Sequence, residues 1–387
     1  MLKNTLNILN VNAIYIAFYI MGYPIFAIAS EIFGIEVFTI IYRALILTLG
    51  LCVFILSILK NNTNYTGVQI FTIFICLAYG LFVLFYFSNG YINDTLNSQY
   101  FINNLILFTL VPLLLFSFSL EVRTLSFSVQ YMYFLSIVFL VLIGYSWLIG
   151  FSSEYRLSFE KLNPISLSMY SAISVIVVMW HVRKISFKSF FMIALFIYCM
   201  ILSGSRGPLL SLFLMTVIFS LRKADLKTIS ISLLSILTLI LVVFEYFNEI
   251  KEYMPILNRF DFLSDEGSIS LTIRERQYSS AIDIFMDNPI LGGSLVEKYM
   301  NYYPHNLILE ILMVGGLVFF LLYALYAFFV IRNVFLKAEN EHSTYLKSVI
   351  ILLIFSYMTS SSLASIGLLF FLIILASKNG NHIYHNS

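Results

Sequence analysis

Apolar runs of about 20 residues, the length an α-helix needs to cross the hydrocarbon core of a bilayer, recur along most of this 387-residue chain. In lipid every backbone amide and carbonyl must be satisfied within the segment, so such runs are read as helices. They lie near 11–29, 37–59, 67–87, 101–120, 130–150, 164–180, 187–202, 208–221 and 228–247, and then, after a long polar stretch, at 305–331. A last stretch, 345–376, holds two short passes broken at Thr359-Ser360-Ser361-Ser362. The expected fold is all-α and polytopic, with about twelve transmembrane helices. It divides into a bundle of about nine helices over 1–247, a long external loop over 248–303 and C-terminal transmembrane helices over 304–387. At 60% hydrophobic and 11% charged, the chain lies outside the range of soluble domains. The first run ends in Ala27-Ile28-Ala29, which imitates a signal-peptide cleavage site. Its length and the spans that follow at once argue for a retained first helix.

Orientation follows from lysine and arginine. One set of connections, with both termini, collects Lys3, Lys60, Arg123, Arg183, Lys184, Lys188, Arg222, Lys223, Lys227, Arg332, Lys337, Lys347 and Lys378. The opposite short loops hold Arg156, Lys161 and Arg206, and Arg43 is left inside a span. The termini are therefore expected in the cytoplasm and the long loop outside. A net charge of +2, scattered in small clusters, gives nucleic acid no patch to bind. Cys52, Cys76 and Cys199 sit singly in apolar runs and are expected as buried packing residues. No phosphate-binding glycine loop, Asp-x-Asp pair, metal-ligand spacing or nucleophile elbow is present in the sequence, so neither metal nor cofactor is expected.

The long loop has a pattern of its own. Arg274 to Met286 places Ile273, Ala281, Ile284 and Phe285 near one face of a helix before Pro289 ends it, which predicts a short helix at the interface. Acidic residues outnumber basic ones in the loop, so Arg274 and Arg276 stand against their surroundings. With that orientation four basic groups, Arg156, Arg206, Arg274 or Arg276, and His305, are expected to converge on the external face. Arg206, in the turn Ser203-Gly204-Ser205-Arg206-Gly207-Pro208, sits at membrane level. It is either a snorkelling charge at a helix end or a ligand for a phosphate oxygen, which its planar fork suits. By spacing alone Arg274 and Arg276 read first as charges on a solvated helix beside Glu275 and Asp283, Arg156 as a partner of Glu154 or Glu160, and His305 as an interfacial residue after Pro304. Glu310, one turn further on, is an intramembrane carboxylate and a functional candidate by default.

Three segments resemble the O-antigen polymerase and O-antigen ligase superfamily of bacterial membrane enzymes. Ser203-Gly204-Ser205-Arg206-Gly207 resembles its Ser-Arg-Gly turn. Arg274, Tyr278, Asp287, Pro289 and Gly292 are similar to its periplasmic-loop pattern, with Tyr278 in place of the commoner Trp. His305-Asn306-Leu307 with Glu310 and Gly316 resembles its His-Asn motif, although Phe319 stands where a second Gly is usual; Arg156 with Asn163-Pro164 is a weaker fourth match. The resemblance implies a GT-C-like membrane glycosyltransferase in the bacterial inner membrane, with the long loop periplasmic. Its reaction would be an inverting, metal-independent glycosyl transfer on the outer face. Donor and acceptor would be undecaprenyl-diphosphate-linked oligosaccharides, and a chain-length regulator is a possible partner. Arg206, Arg274, Arg276 and Arg156 would bind diphosphate, and His305 or Glu310 would serve as general base. Polymerisation of repeat units into O-antigen or capsular polysaccharide is the leading expectation. The alternatives are a ligase that transfers finished glycan to lipid A core and, from another class, a polysaccharide flippase.

Overall fold

The computed structural model describes residues 2–89, 98–150, 157–182, 186–223, 265–337, 340–360 and 362–379. Their regular structure is helical: α1 (Leu2–Ile32), α2 (Phe38–Leu59), α3 (Gly67–Ser88), α4 (98–115), α5 (Val122–Leu148), α6 (Pro164–His181), α7 (Phe187–Leu202), α8 (Arg206–Lys223), α9 (Asp265–Asp287), α10 (Leu307–Val330), α11 (Glu341–Ser360) and α12 (Gly367–Asn379). Among the described residues, seven helices are long and apolar enough to cross a membrane, and four shorter apolar helices lie at 99–115, 187–202, 206–218 and 367–379. The expected span at 228–247 falls outside the described residues.

Helix α1 packs against α5 and α2, α6 against α7, and α8 against α11, while α9 lies along α10. At the centre stands α12. Every residue from Gly367 to Asn379 is buried, and an unbroken apolar sequence such as Leu368 to Ala376 suits a helix enclosed on all sides. Its 13 residues reach about 20 Å, less than the roughly 30 Å of a bilayer core. The break after Ser360 and a 3-10 turn at Leu363–Ser365 precede it, as the serine run predicts. Lys378 is buried at its far end and donates to the carbonyls of Asn64 and Phe118, which satisfies the ammonium without a carboxylate.

Helix α4 is not a plain α-helix. A π-helical stretch, Ile102–Leu110, runs through it, and the Thr109 hydroxyl donates to the carbonyl of Asn104 at 2.8 Å. Pro112 has no amide to give back to the preceding turn. The Tyr19 hydroxyl donates to the Phe108 carbonyl at 2.5 Å in its stead, which ties α4 to α1. One cysteine departs from expectation. Cys76 and Cys199 are buried, but Cys52 is exposed on the outer side of α2, beside Leu51 and Ile55, where an apolar thiol faces outward as readily as inward.

Helix α10 holds the main departure. The sequence reads as one continuous span, yet the chain breaks at Gly316 (φ 58°, ψ −154°). The turn after α9 fills the break: Pro289 and Ile290 carbonyls accept the amides of Leu317 and Val318 at 2.8 and 3.2 Å, and the amide of Gly293 donates to Met313 at 2.9 Å. Glycine is required on both sides. A Cβ on Gly292 (φ 76°) would lie 2.5 Å from the carbonyl carbon of Val314, and one on Gly316 would lie 2.5 Å from that of Ile290.

Candidate active site

The turn between α7 and α8 begins with Ser203, whose amide donates to Cys199 and whose hydroxyl donates to Met200. Gly204 (φ 60°) then reverses the chain. Ser203, Gly204, Ser205 and Pro208 are buried and Arg206 is half-buried, so Arg206 opens α8 from a packed turn. Gly207 packs on α11: a Cβ there would meet Thr359 Oγ1 at 2.6 Å and Ser360 Oγ at 3.1 Å. The next segment is strapped to the same region, since Leu157 donates its amide to Leu202 at 2.9 Å and Glu160 its amide to the Glu31 carboxylate at 2.7 Å. Arg156 itself lies outside the described residues. Asn163 caps α6 by accepting the Ser166 amide at 2.8 Å, with Pro164 at the first helical position.

His305 precedes α10 with a left-handed backbone (φ 55°), a strained conformation that a protein keeps where the surrounding structure enforces it. Asn306 supplies that enforcement by capping α10, its side-chain oxygen accepting the amides of Ile308 and Leu309 at 3.1 Å. The imidazole packs against the rings of Tyr303 and Tyr302, at 4.6 and 5.7 Å between centroids. Its Nδ1 is buried with no hydrogen-bond partner among the described residues. Burial and the nearby Arg274 charge push its pKa down to about 4, while the Ser360 backbone works in the opposite direction. The ring is therefore neutral at pH 7. Ser360 thus touches both halves of the corner, meeting the Arg206-Gly207 turn from one side and His305 from the other.

Helix α9 extends from Asp265 to Asp287, longer than the sequence pattern indicates. Its inward face is Gln277, Ala281 and Ile284; Ile273 and Phe285 are half-buried flanks. Arg274 and Arg276 are two positions apart, about 200° around the helix, and so part company. Arg274 acts on His305, whereas Arg276 lies over the Tyr299 ring at 5.5 Å and donates to its hydroxyl at 3.1 Å. Tyr278, one turn after Arg274, is half-buried. Asp287 pairs with Lys298 at 3.4 Å on the surface. Fully buried Glu297, which the sequence reading passed over, accepts the amides of Tyr299 and Met300 and so holds the turn that carries Tyr299.

Glu310 is buried inside the bundle, and its carboxylate accepts the amide of Leu363 at 2.9 Å. It caps the 3-10 turn that leads into α12. Among the described residues no group of three or more His, Cys, Asp and Glu is placed to hold a metal ion.

Beside the corner, sharing Tyr302, Tyr303 and Ser360 with it, opens a cavity of about 420 Å³. Tyrosines from α1, α2, α4 and α6 wall it. The sequence scatters these rings over distant helices, where they register as aromatic content alone.

The corner lies largely within a recognisable sequence block. Residues 190–324 match the model of a family described as O-antigen ligase, a stretch that takes in Arg206, Arg274, Arg276, His305 and Glu310. No curated protein matches the chain.

Proposed function

We propose, on the premise that the chain belongs to the O-antigen ligase and polymerase superfamily, that it is the polymerase that joins lipid-linked oligosaccharide repeat units. In this reading the growing glycan leaves one polyprenyl diphosphate and is carried onto a sugar hydroxyl of the next unit, with inversion and without a metal. The observation that carries its glycosyl-transfer core is the corner itself: a neutral imidazole whose Nδ1 has no hydrogen-bond partner among the described residues, under the influence of Arg274, with the Arg206 turn packed against Ser360. The new glycosidic bond forms as the sugar–phosphate bond breaks. The departing diphosphate then gathers negative charge, which Arg206 and Arg274 stabilise. His305 accepts the proton of the attacking hydroxyl at Nδ1.

The same charges tune the base. Arg274 disfavours a proton on His305; a diphosphate beside Arg274 offsets that charge and raises the basicity of the ring when substrate is bound. Glu310 is the weaker candidate, because its carboxylate is engaged by the Leu363 amide. Arg276, engaged by Tyr299, and Arg156 belong to the periphery of this reading.

A gel of surface glycan from a deletion strain, complemented with the wild type or with Arg206→Ala, Arg274→Ala or His305→Ala, tests it. Glycan arrested at a single repeat unit supports the polymerase. Full-length polymer stranded on its carrier assigns a ligase, and near-normal polymer from the three variants removes the catalytic roles.

A further inference from the structure

The tyrosine-walled cavity contains a charge with no carboxylate counterpart among its described lining residues. Arg43 reaches it from the first turns of α2, its guanidinium 5.1 Å from the centre of the Phe108 ring. Its Nε is buried and has no hydrogen-bond partner among the described residues. Lys161 also lines the cavity but is already engaged, its ammonium donating to the Ser30 hydroxyl and the Glu36 carbonyl at 3.3 and 3.2 Å. No carboxylate is found among the described lining residues. A half-buried guanidinium whose Nε donor is unspent, with no carboxylate among the described lining residues, is costly, unless a ligand brings the anion.

The walls narrow the choice of ligand. The volume is that of a small-molecule site. Its lining is led by tyrosine rings with polar tips, joined by Asn104, Asn163 and several serines, with Phe108, Ile165, Met169 and Leu368 as its apolar part. Rings offer flat apolar faces to the C–H side of a sugar, and hydroxyls and amides meet its oxygens. A polyprenyl diphosphate would bring two charged groups and need an aliphatic lane for its tail. Here a single guanidinium has an unspent donor, and hydroxyl-bearing rings make the walls.

We propose that this cavity is a subsite for a sugar that carries a carboxylate, as a uronic acid does, with Arg43 as the residue that reads the acid. It rests on the reading of the His305 corner as the transfer centre, since Tyr302 and Tyr303 separate the two spaces and would hand the sugar from one to the other. Arg43 is a specificity-determining residue, outside the bond-making centre.

Saturation-transfer NMR on the full chain in nanodiscs, with glucuronate, glucose and inorganic pyrophosphate as probes, tests the assignment. Glucuronate is expected to bind saturably, glucose to bind weakly, and Arg43→Gln to weaken glucuronate by about tenfold or more. Arg43→Lys, which keeps the charge and loses the planar fork, is expected to fall between the two; it also serves if the glutamine variant fails to fold. Lys298→Ala, which removes an exposed cation paired with Asp287, is expected to leave glucuronate binding unchanged. Glucuronate binding unaffected by either Arg43 substitution overturns the proposal, as does the absence of binding. Pyrophosphate binding that depends on Arg43 overturns it in favour of a phosphate subsite. The readout needs no polymer, so failure of the polymerase reading would show in the glycan gel and leave this result standing.

Discussion

The carbonyl of Pro289 accepts the amide of Leu317 at 2.8 Å, which stitches the turn after α9 into the break in α10. Arg274 lies on α9 and His305 immediately before α10, so this stitch ties together the elements that carry a cation and the imidazole it acts upon.

The stitch has a stability signature. Gly292→Ala and Gly316→Ala each force a Cβ to within 2.5 Å of backbone and keep φ above 50°. Backbone strain alone costs on the order of 1–3 kcal/mol, and the overlap adds to it. Gly144→Ala, in α5 with nothing within 4 Å of the added carbon, is the control and is expected neutral or slightly stabilising. Thermal unfolding in detergent should separate the first two variants from the third.

Removing Arg274 should move the His305 titration upward. The ring titrates near 4 with Arg274 present, so Arg274→Gln is expected to carry the midpoint toward the ordinary value near 6.5. The sign for stability follows. Because the folded-state pKa is depressed, the contribution of neutral His305 is complete above about 6.5 and is lost as pH falls toward 4. NMR of labelled histidine across pH 3.5 to 7.5 reads both.

Arg206→Ala and Arg274→Ala should each cost roughly 2 to 4 kcal/mol in the barrier of glycosyl transfer, as loss of one preorganised electrostatic contact does elsewhere. Arg276→Ala should cost little, since its guanidinium is engaged with Tyr299. Polymer formation from purified lipid-linked repeat units measures the three side by side. Equal losses at Arg274 and Arg276 would contradict the division of labour on α9.

Glu310 can be separated from a catalytic role by two substitutions. Glu310→Gln keeps an oxygen for the Leu363 amide and should preserve both fold and transfer. Glu310→Leu leaves that buried amide without an acceptor and should destabilise by about 1–3 kcal/mol. A stable glutamine variant with no activity would move the base from His305 to Glu310.

The spans that fall on described residues were legible because hydropathy over about 20 residues is a local signal, and the serine run at 359–362 marks the break before α12. The break in α10 was not legible. Gly315 and Gly316 lie in a strongly apolar run, and what opens the helix there is the 289–293 turn, remote in sequence. The separation of Arg274 from Arg276 was within reach of helical periodicity, since neighbours two apart do not share a face. The corner around His305 was visible as residues, but its meeting point, Ser360, was read only as a helix breaker. Arg43 was visible as a charge inside a span; the cavity around it depends on the packing of helices far apart in the chain.

A broken helix inside a membrane commonly turns the positive end of its second half toward an anion. Here the first amides past the break, those of Leu317 and Val318, are spent on the carbonyls of Pro289 and Ile290. The macrodipole of that half-helix is quenched by the protein's own backbone. Those two amides are closed to an anion, so in the proposed reading the diphosphate is met by arginine side chains, whose grip is open to change one residue at a time.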